Sequence, residues 1–168
     1  RDVLGSRGLG DVYKRQIVYP ACSKDMNFEP EVAVVMGRIA KNVSVENAMD
    51  YVLGFTCVND VTLRDLQGID PTWTRAKGFD TSCPLGPWIV MRDDLDWKDA
   101  KISFTLNGED VPMASGTTAN LIHGIPEQIA AISSFSTLLP GDVIMTGTPN
   151  ASGHLDPGDE TIVHVEGR

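Results

Sequence analysis

Two glutamates, Glu29 and Glu31, stand two residues apart at the mouth of the apolar run Glu31 to Gly37 (EVAVVMG). Side chains at i and i+2 of a strand leave the same face, so both carboxylates point one way. Like charges placed side by side repel, and the arrangement is costly unless a cation lies between them. A third carboxylate, Asp60, ends the run Phe55-Thr56-Cys57-Val58-Asn59. Three oxygen donors without His or Cys select a hard cation, Mg²⁺, Mn²⁺ or Ca²⁺, over zinc. They also leave about half of an octahedral shell for water and substrate, which catalysis needs. On spacing alone the glutamates also fit the polar edge of a strand, with Asp60 capping the next turn.

Downstream lies Asn59-Asp60-Val61-Thr62-Leu63-Arg64-Asp65-Leu66-Gln67. Arg64 and Gln67 are three apart and share a face on a helical turn. A guanidinium beside an amide suits a substrate carboxylate or enolate oxygen. The alternative is a solvated ion pair of Arg64 with Asp65 or Asp60. Lys77, among Gly, Phe and Trp neighbours, could offset the negative charge of a tricarboxylate site, or be an ordinary surface lysine. Thr146-Gly147-Thr148-Pro149 could offer a hydroxyl and backbone N–H groups to an anion, or be only a turn.

The elements that must hold these residues are short. The valine-rich Glu31 to Gly37 reads as a buried strand closed by Gly37. Ser44 to Tyr51 reads as a short helix, with Ser44 as N-cap and Glu46 favourable in its first turn. Val52 to Asn59 is strand-like, with Gly54 marking a bulge. Gly68 to Pro87 carries Pro71, Gly78, Pro84, Gly86 and Pro87, so it is expected to be an ordered loop system. Trp88 to Met91 is a brief strand. Ile102 to Leu106 alternates and runs into Asn107-Gly108, a strong hairpin signal. Ile125, Ile129 and Ile132 fall at helical spacing, with Pro126 suited to the first turn. Leu139-Pro140-Gly141-Asp142 turns into a strand over Val143 to Thr146, and Thr161 to Val165 is a last alternating strand. The fold class is α+β and β-rich, in one domain.

Composition bounds the rest. The 168 residues hold 14 Lys and Arg against 23 Asp and Glu, a formal charge of −9. So acidic a chain lacks the dense basic face that nucleic acid requires. No apolar run approaches the roughly 18 residues of a membrane span. Cys22, Cys57 and Cys83 are odd in number and widely spaced, which fits neither a disulfide framework nor a metal knuckle. They are expected to be reduced thiols in a cytoplasmic protein, at least two of them in a core. Residues 1–16 (RDVLGSRGLGDVYKRQ) carry four basic and two acidic residues and three glycines, without the alternation that follows. They read as a non-native, adapter-like segment rather than a phosphate loop, leaving 17–168 as a single domain incomplete at its N-terminus. Loss of upstream strands would expose sheet edges and apolar surface, so the chain alone is expected to express poorly or aggregate.

The segments FEPEVAVVMG, VNDVTLRDLQ, KGFDTSCPLGPWIV and PGDVIMTGTP, in this order, together resemble the fumarylacetoacetate hydrolase family, over roughly Ile17 to Gly167. The resemblance implies a mixed, rolled β-sheet with a few short helices and a divalent cation, usually Mg²⁺ or Mn²⁺, on Glu29, Glu31 and Asp60. It implies that Lys77 faces the bound substrate as the catalytic residue, that Arg64 and Gln67 hold its polar end, and that Thr148 contacts a carboxylate. The substrates implied are small 2-oxo and β-diketo acids. The reactions are carbon–carbon hydrolysis of acylpyruvates or, alternatively, isomerisation or decarboxylation of unsaturated oxo-dicarboxylates of aromatic catabolism. A homodimer is implied as well.

The match departs from the family in three places. The water-activating His–Glu pair of hydrolytic relatives lies upstream of the first glutamates, and none of His123, His154 or His164 occupies that position. His123 is expected to pack beside a helix, His154 to sit in a loop, and His164 to alternate in the last strand. Gly153 follows Asn150-Ala151-Ser152 where relatives carry glycine earlier, and Val111 to Thr118 lacks a glutamine often found there.

Overall fold

Pro30–Met36 is buried along its whole length, as a valine-rich strand must be when neighbours flank it and both its faces are covered. In this computed structural model, which describes residues 16–167, that strand is β2. It pairs antiparallel with β3 (Val52–Asn59) on one side and with β9 (Val143–Met145) on the other, and β5 (Leu85–Met91) lies beyond β3. Two further sheets complete the architecture. One orders β10 (Gly153–Leu155), β1 (Met26–Phe28) and β4 (Thr62–Leu63). The other joins β11 (Thr161–Glu166) to β6 (Lys101–Leu106), which also pairs with β7 (Glu109–Asp110) and β8 (Gly116–Thr117). Short antiparallel sheets with few short helices bear out the β-rich α+β expectation.

The pairing that matters for function runs through two sheets. β2 faces β3 with Pro30 opposite Asn59, and β1 faces β4 with Met26 opposite Leu63. Both ladders keep one register from the Met26–Leu63 pair to the Val35–Gly54 pair, so residues 26–35 and 54–63 form a single antiparallel ribbon that passes from the first sheet into the second at Glu29 and Asp60. The apolar residues divide accordingly. One core gathers Val32, Val34, Met36, Phe55 and Ile144 with Ile125 and Ile129 of the helix Ile125–Phe135. The other gathers Met26, Phe28, Val61, Leu63, Leu66, Ala76 and Phe104, with the rings of Phe28 and Phe104 stacked at 4.2 Å.

Several expectations are borne out with shifted ends. The Asn107-Gly108 pair turns β6 into β7 with both residues at positive φ, 53° and 83°, the geometry of a two-residue hairpin. Ile125 and Ile129 point into the core from the helix begun by Pro126. Val45–Tyr51 is helical but of the tighter 3₁₀ kind, and the Ser44 side chain does not cap it.

The irregularity expected at Gly54 is present: against β2, Val35 faces Gly54 but Met36 faces Val52, leaving Leu53 as the extra residue, and against β5 a second shift falls between Phe55 and Cys57. Gly54 is also required by packing, since a Cβ there would stand 2.1 Å from the Val90 carbonyl oxygen. Other expectations are corrected. Within the expected loop 68–87, the helix Thr74–Lys77 forms and β5 already begins at Leu85. Four-residue helices are stabilised by tertiary contacts rather than propensity, so breaker counts miss them. The cysteines are free, but Cys22 and Cys83 are exposed and Cys57 only half-buried. Cys22 lies in a turn, Cys83 beside the carboxylates, and Cys57 on a sheet face with a cavity beside it. Residues 1–15, most of the adapter-like segment, lie outside the described residues. Among the described residues no helix is long and apolar enough to cross a membrane.

Candidate metal centre

The ribbon explains why three acidic side chains meet. Its register sets Glu29 opposite Asp60, and the Asp60 N–H donates to the Glu29 carbonyl at 2.9 Å. The reciprocal ladder bond is missing, because the Glu29 N–H donates to Asn59 Oδ1 at 2.8 Å instead. Glu31, two residues on, projects from the same face. Oxygen atoms of Glu29, Glu31 and Asp60 lie within 4.8 Å of one another, and Glu31 and Asp60 are 3% and 6% exposed. Directly opposed like charges destabilise an antiparallel pair, so burial of this trio demands compensation.

Two cations supply part of it. Lys77, the last residue of its helix, donates from Nζ to Glu29 Oε2 at 2.8 Å and also to Asp60 Oδ2. Its backbone is pinned by its own N–H on Trp73 O and by the Ser82 hydroxyl on Lys77 O. Arg64 Nη2 donates to Glu29 Oε1 at 2.5 Å and to Ser152 Oγ at 2.7 Å, while Nη1 donates to Gln67 Oε1 at 2.6 Å. Among the described residues no cation pairs directly with Glu31. Its Oε2 accepts the Gly147 N–H at 2.8 Å and its Oε1 accepts the Thr148 hydroxyl at 3.3 Å.

The ionisation of the glutamates follows these contacts. Burial pushes the Glu31 carboxyl up to about 7, with Asp60 and Glu29 adding repulsion that the Gly147 N–H and the Lys77 charge only partly oppose. Burial acts on Glu29 too, but the hydrogen bonds and charges of Lys77 and Arg64 outweigh it and hold that carboxyl below its ordinary value. Burial would depress the Lys77 amine, yet Asp60 and Glu29 raise it above the ordinary lysine value.

The donor set fits a hard divalent ion. All three groups offer carboxylate oxygens, and Asp60 Oδ1 is buried with no hydrogen-bond partner. A buried polar atom left unpaired costs free energy, and a coordinated cation would satisfy it. The arrangement can therefore offer converging carboxylate oxygens to an ion.

Every residue singled out from the sequence falls in this one cluster, although not always with the expected partner. Arg64 pairs with Glu29 rather than with Asp65 or Asp60, and it shares the helical turn Arg64–Gln67 with Gln67 as the spacing predicts. In this structure the Thr148 hydroxyl spends its proton on Glu31. Three contributors were not singled out. Asn59 fixes the Glu29 backbone, Ser152 holds Arg64, and Ser23 holds the helical turn by donating to Asp65 Oδ1 at 2.6 Å. Asn59 carried a signal, an amide directly before the candidate ligand Asp60; Ser23 and Ser152 carried none, being 42 and 88 residues from their partners. The histidines hydrogen-bond to none of these groups among the described residues. His123 is exposed rather than packed, since its loop precedes the helix start. His154 lies in β10, not a loop, with Nδ1 on Asp25 Oδ1 at 3.0 Å. His164 is exposed on alternating β11, as expected.

Comparisons with known proteins agree with this fold. The solved structure of 5-carboxymethyl-2-hydroxymuconate delta-isomerase from Mycobacterium smegmatis superposes with a TM-score of 0.85 at 44% identity, covering 90% of this chain and 59% of that one. The mitochondrial oxaloacetate tautomerase of Rattus norvegicus is 40% identical over 159 residues, 89% of this chain and 50% of the relative. The 4-hydroxyphenylacetate degradation bifunctional isomerase/decarboxylase of Salmonella dublin is 41% identical over 144 residues, 84% of this chain and 33% of the relative. The chain thus spans well under two thirds of the length of each. Residues 9–168 match the family described as Fumarylacetoacetate (FAA) hydrolase C-terminal, and the chain belongs to the fumarylacetoacetate hydrolase family.

Proposed function

We propose that this chain is the catalytic domain of a divalent-cation-dependent enzyme that binds a 2-oxo acid and moves a proton at the carbon beside its keto group. The reaction class is tautomerisation or isomerisation, with decarboxylation as its close variant. The observation that carries the proposal is the convergent trio of half-buried Glu29 with buried Glu31 and Asp60, with one carboxylate oxygen unpaired among the described residues. The relatives named as isomerase, tautomerase and isomerase/decarboxylase support the choice of class.

A divalent ion held by these carboxylates supplies a Lewis acid for the keto and carboxylate oxygens of the substrate. The protein's own groups do the rest. When the C–H bond breaks, its proton passes to a base such as a bound water and its electron pair moves onto the keto oxygen as an enolate (in decarboxylation CO₂ leaves instead of the proton), and preorganised positive charge there lowers the barrier. The Lys77 ammonium provides that charge from within the cluster. Arg64 keeps one Nη1 hydrogen and its Nε–H uncommitted by the bonds above, and these, with Gln67 alongside, bind the distal polar end. Thr148 and the Gly147 N–H hold Glu31 in its liganding orientation.

Carbon–carbon hydrolysis of acylpyruvates shares the enolate but also needs a base to activate water. The histidines of this chain do not meet that need from the positions they hold among the described residues. The test is a product assay of the full-length protein with Mn²⁺ on oxaloacetate, a hydroxymuconate and acetylpyruvate. Keto–enol exchange or double-bond migration, lost in Glu31→Gln, is the expected result. Acetate release from acetylpyruvate as the dominant reaction would replace this reading with hydrolysis, and failure of the protein to bind Mn²⁺ would remove both.

A further inference from the structure

Lys77 occupies an unusual place for a group whose task is to meet a substrate. Its ammonium lies between Glu29 Oε2 and Asp60 Oδ2, donating to both, and these are two of the three groups that would ligate an ion. Arg64 is tied differently. Its guanidinium reaches the outer oxygen of Glu29 and is anchored by Gln67 and Ser152, neither of them a ligand. Among the described residues the Lys77 ammonium hydrogen-bonds to the two carboxylates alone, on a flexible four-carbon stem. The Lys77 side chain is 23% exposed, against 13% for Glu29 and 9% for Asp60, so it borders the open side of the cluster.

We infer that Lys77 is the resident counter-ion of the centre and sets its affinity for the divalent cation by competing for Glu29 and Asp60. With three carboxylates against two cations, the cluster keeps at most one uncompensated negative charge, so an entering ion must displace the ammonium's interactions to gain its own. Displacement turns Lys77 toward the open side, where a substrate oxygen docks. Loading of the ion and readiness of Lys77 are then linked: affinity for one lowers the hold on the other, as linkage requires. The same contest explains the tolerance for buried, directly opposed acids, because the folded chain neutralises them before any ion arrives. This inference rests on the metal reading above and adds to it a role for Lys77 that precedes the substrate.

The experiment is calorimetric titration of Mn²⁺ into the metal-stripped protein, wild type against Lys77→Met, at low and at high salt. The variant is expected to bind at least tenfold more tightly, with the gap narrowing as salt screens the ammonium. Equal or weaker binding by a folded Lys77→Met overturns the inference while leaving the metal reading intact. Absence of binding in both proteins overturns both. Should Lys77→Met fail to fold, the wild type itself decides. Amine acetylation followed by mass spectrometry is expected to label Lys77 at least several-fold faster with Mn²⁺ than without it, and an unchanged or slower rate overturns the inference.

Discussion

Glu31→Gln separates the acid's contribution to metal binding from its effect on the bare fold. Burial and the neighbouring carboxylates raise Glu31 from 4.5 to about 7 in the metal-free protein. A carboxyl raised on folding costs nothing below its unfolded value, where both states are protonated. Between about 4.5 and about 7 the unfolded chain has released the proton and the folded chain has not, so stability falls as pH rises. Above that window the loss is complete. At about 1.4 kcal/mol per pH unit the gap amounts to about 3 kcal/mol, and Glu31 is only 3% exposed, so solvent screens little of it. Glutamine keeps the shape and can still accept the Gly147 N–H. The variant in chelator is therefore expected to exceed wild type by up to about 3 kcal/mol at pH 8 and to match it near pH 4. Urea denaturation across this range reads the difference, and added Mn²⁺ should stabilise wild type but not the variant. Parallel pH curves, or a gap widest in acid, would refute the reasoning.

Two further substitutions probe the frame around the centre. Gly54→Ala drives a methyl against the backbone of Val90, which cannot swing aside as a side chain could. It is expected to cost about 3 kcal/mol or more in denaturant melts, and a near-neutral value would show that β3 and β5 part easily. His154→Gln tests the exposed contact with Asp25 and Asp156, whose hydrogen bond and charges raise the imidazole above its ordinary 6.5. A raised folded-state value makes this contribution complete below about 6.5 and lost as pH climbs through the folded value. The stability difference between wild type and variant should shrink from mildly acidic to alkaline buffer, and a difference constant with pH contradicts it.

The parts of this protein governed by local periodicity were legible in the sequence. β2 announces itself by unbroken valine-rich hydrophobicity, the β6–β7 hairpin by Asn107-Gly108, and the long helix by isoleucines at 3.6-residue spacing. The carboxylate trio was legible as a type of chemistry, because Glu-x-Glu on a strand and an aspartate at a strand end are local facts. What no window contained was the register that sets Asp60 against Glu29, a pairing across 31 positions. The helix Thr74–Lys77 was hidden for the same reason: its ends are fixed by Trp73, Ser82 and the carboxylates, not by its own propensity. The expectation of at least two core cysteines failed because hydrophobic character alone does not reveal that Cys22 falls in an exposed turn and Cys83 in an exposed loop.

The ribbon's passage between sheets has a mechanical corollary. Glu29 and Asp60 are the hinge pins at which two separately packed cores are joined, and Glu31 is fastened to the β9 side through Gly147 and Thr148. Shear of one sheet over the other would alter the spacing of the three carboxylates, because they sit where the two sheets join. The trio behaves as a strain gauge: a rigid ion seated there would rivet the sheets, and a distortion imposed far away would be felt as a weaker grip.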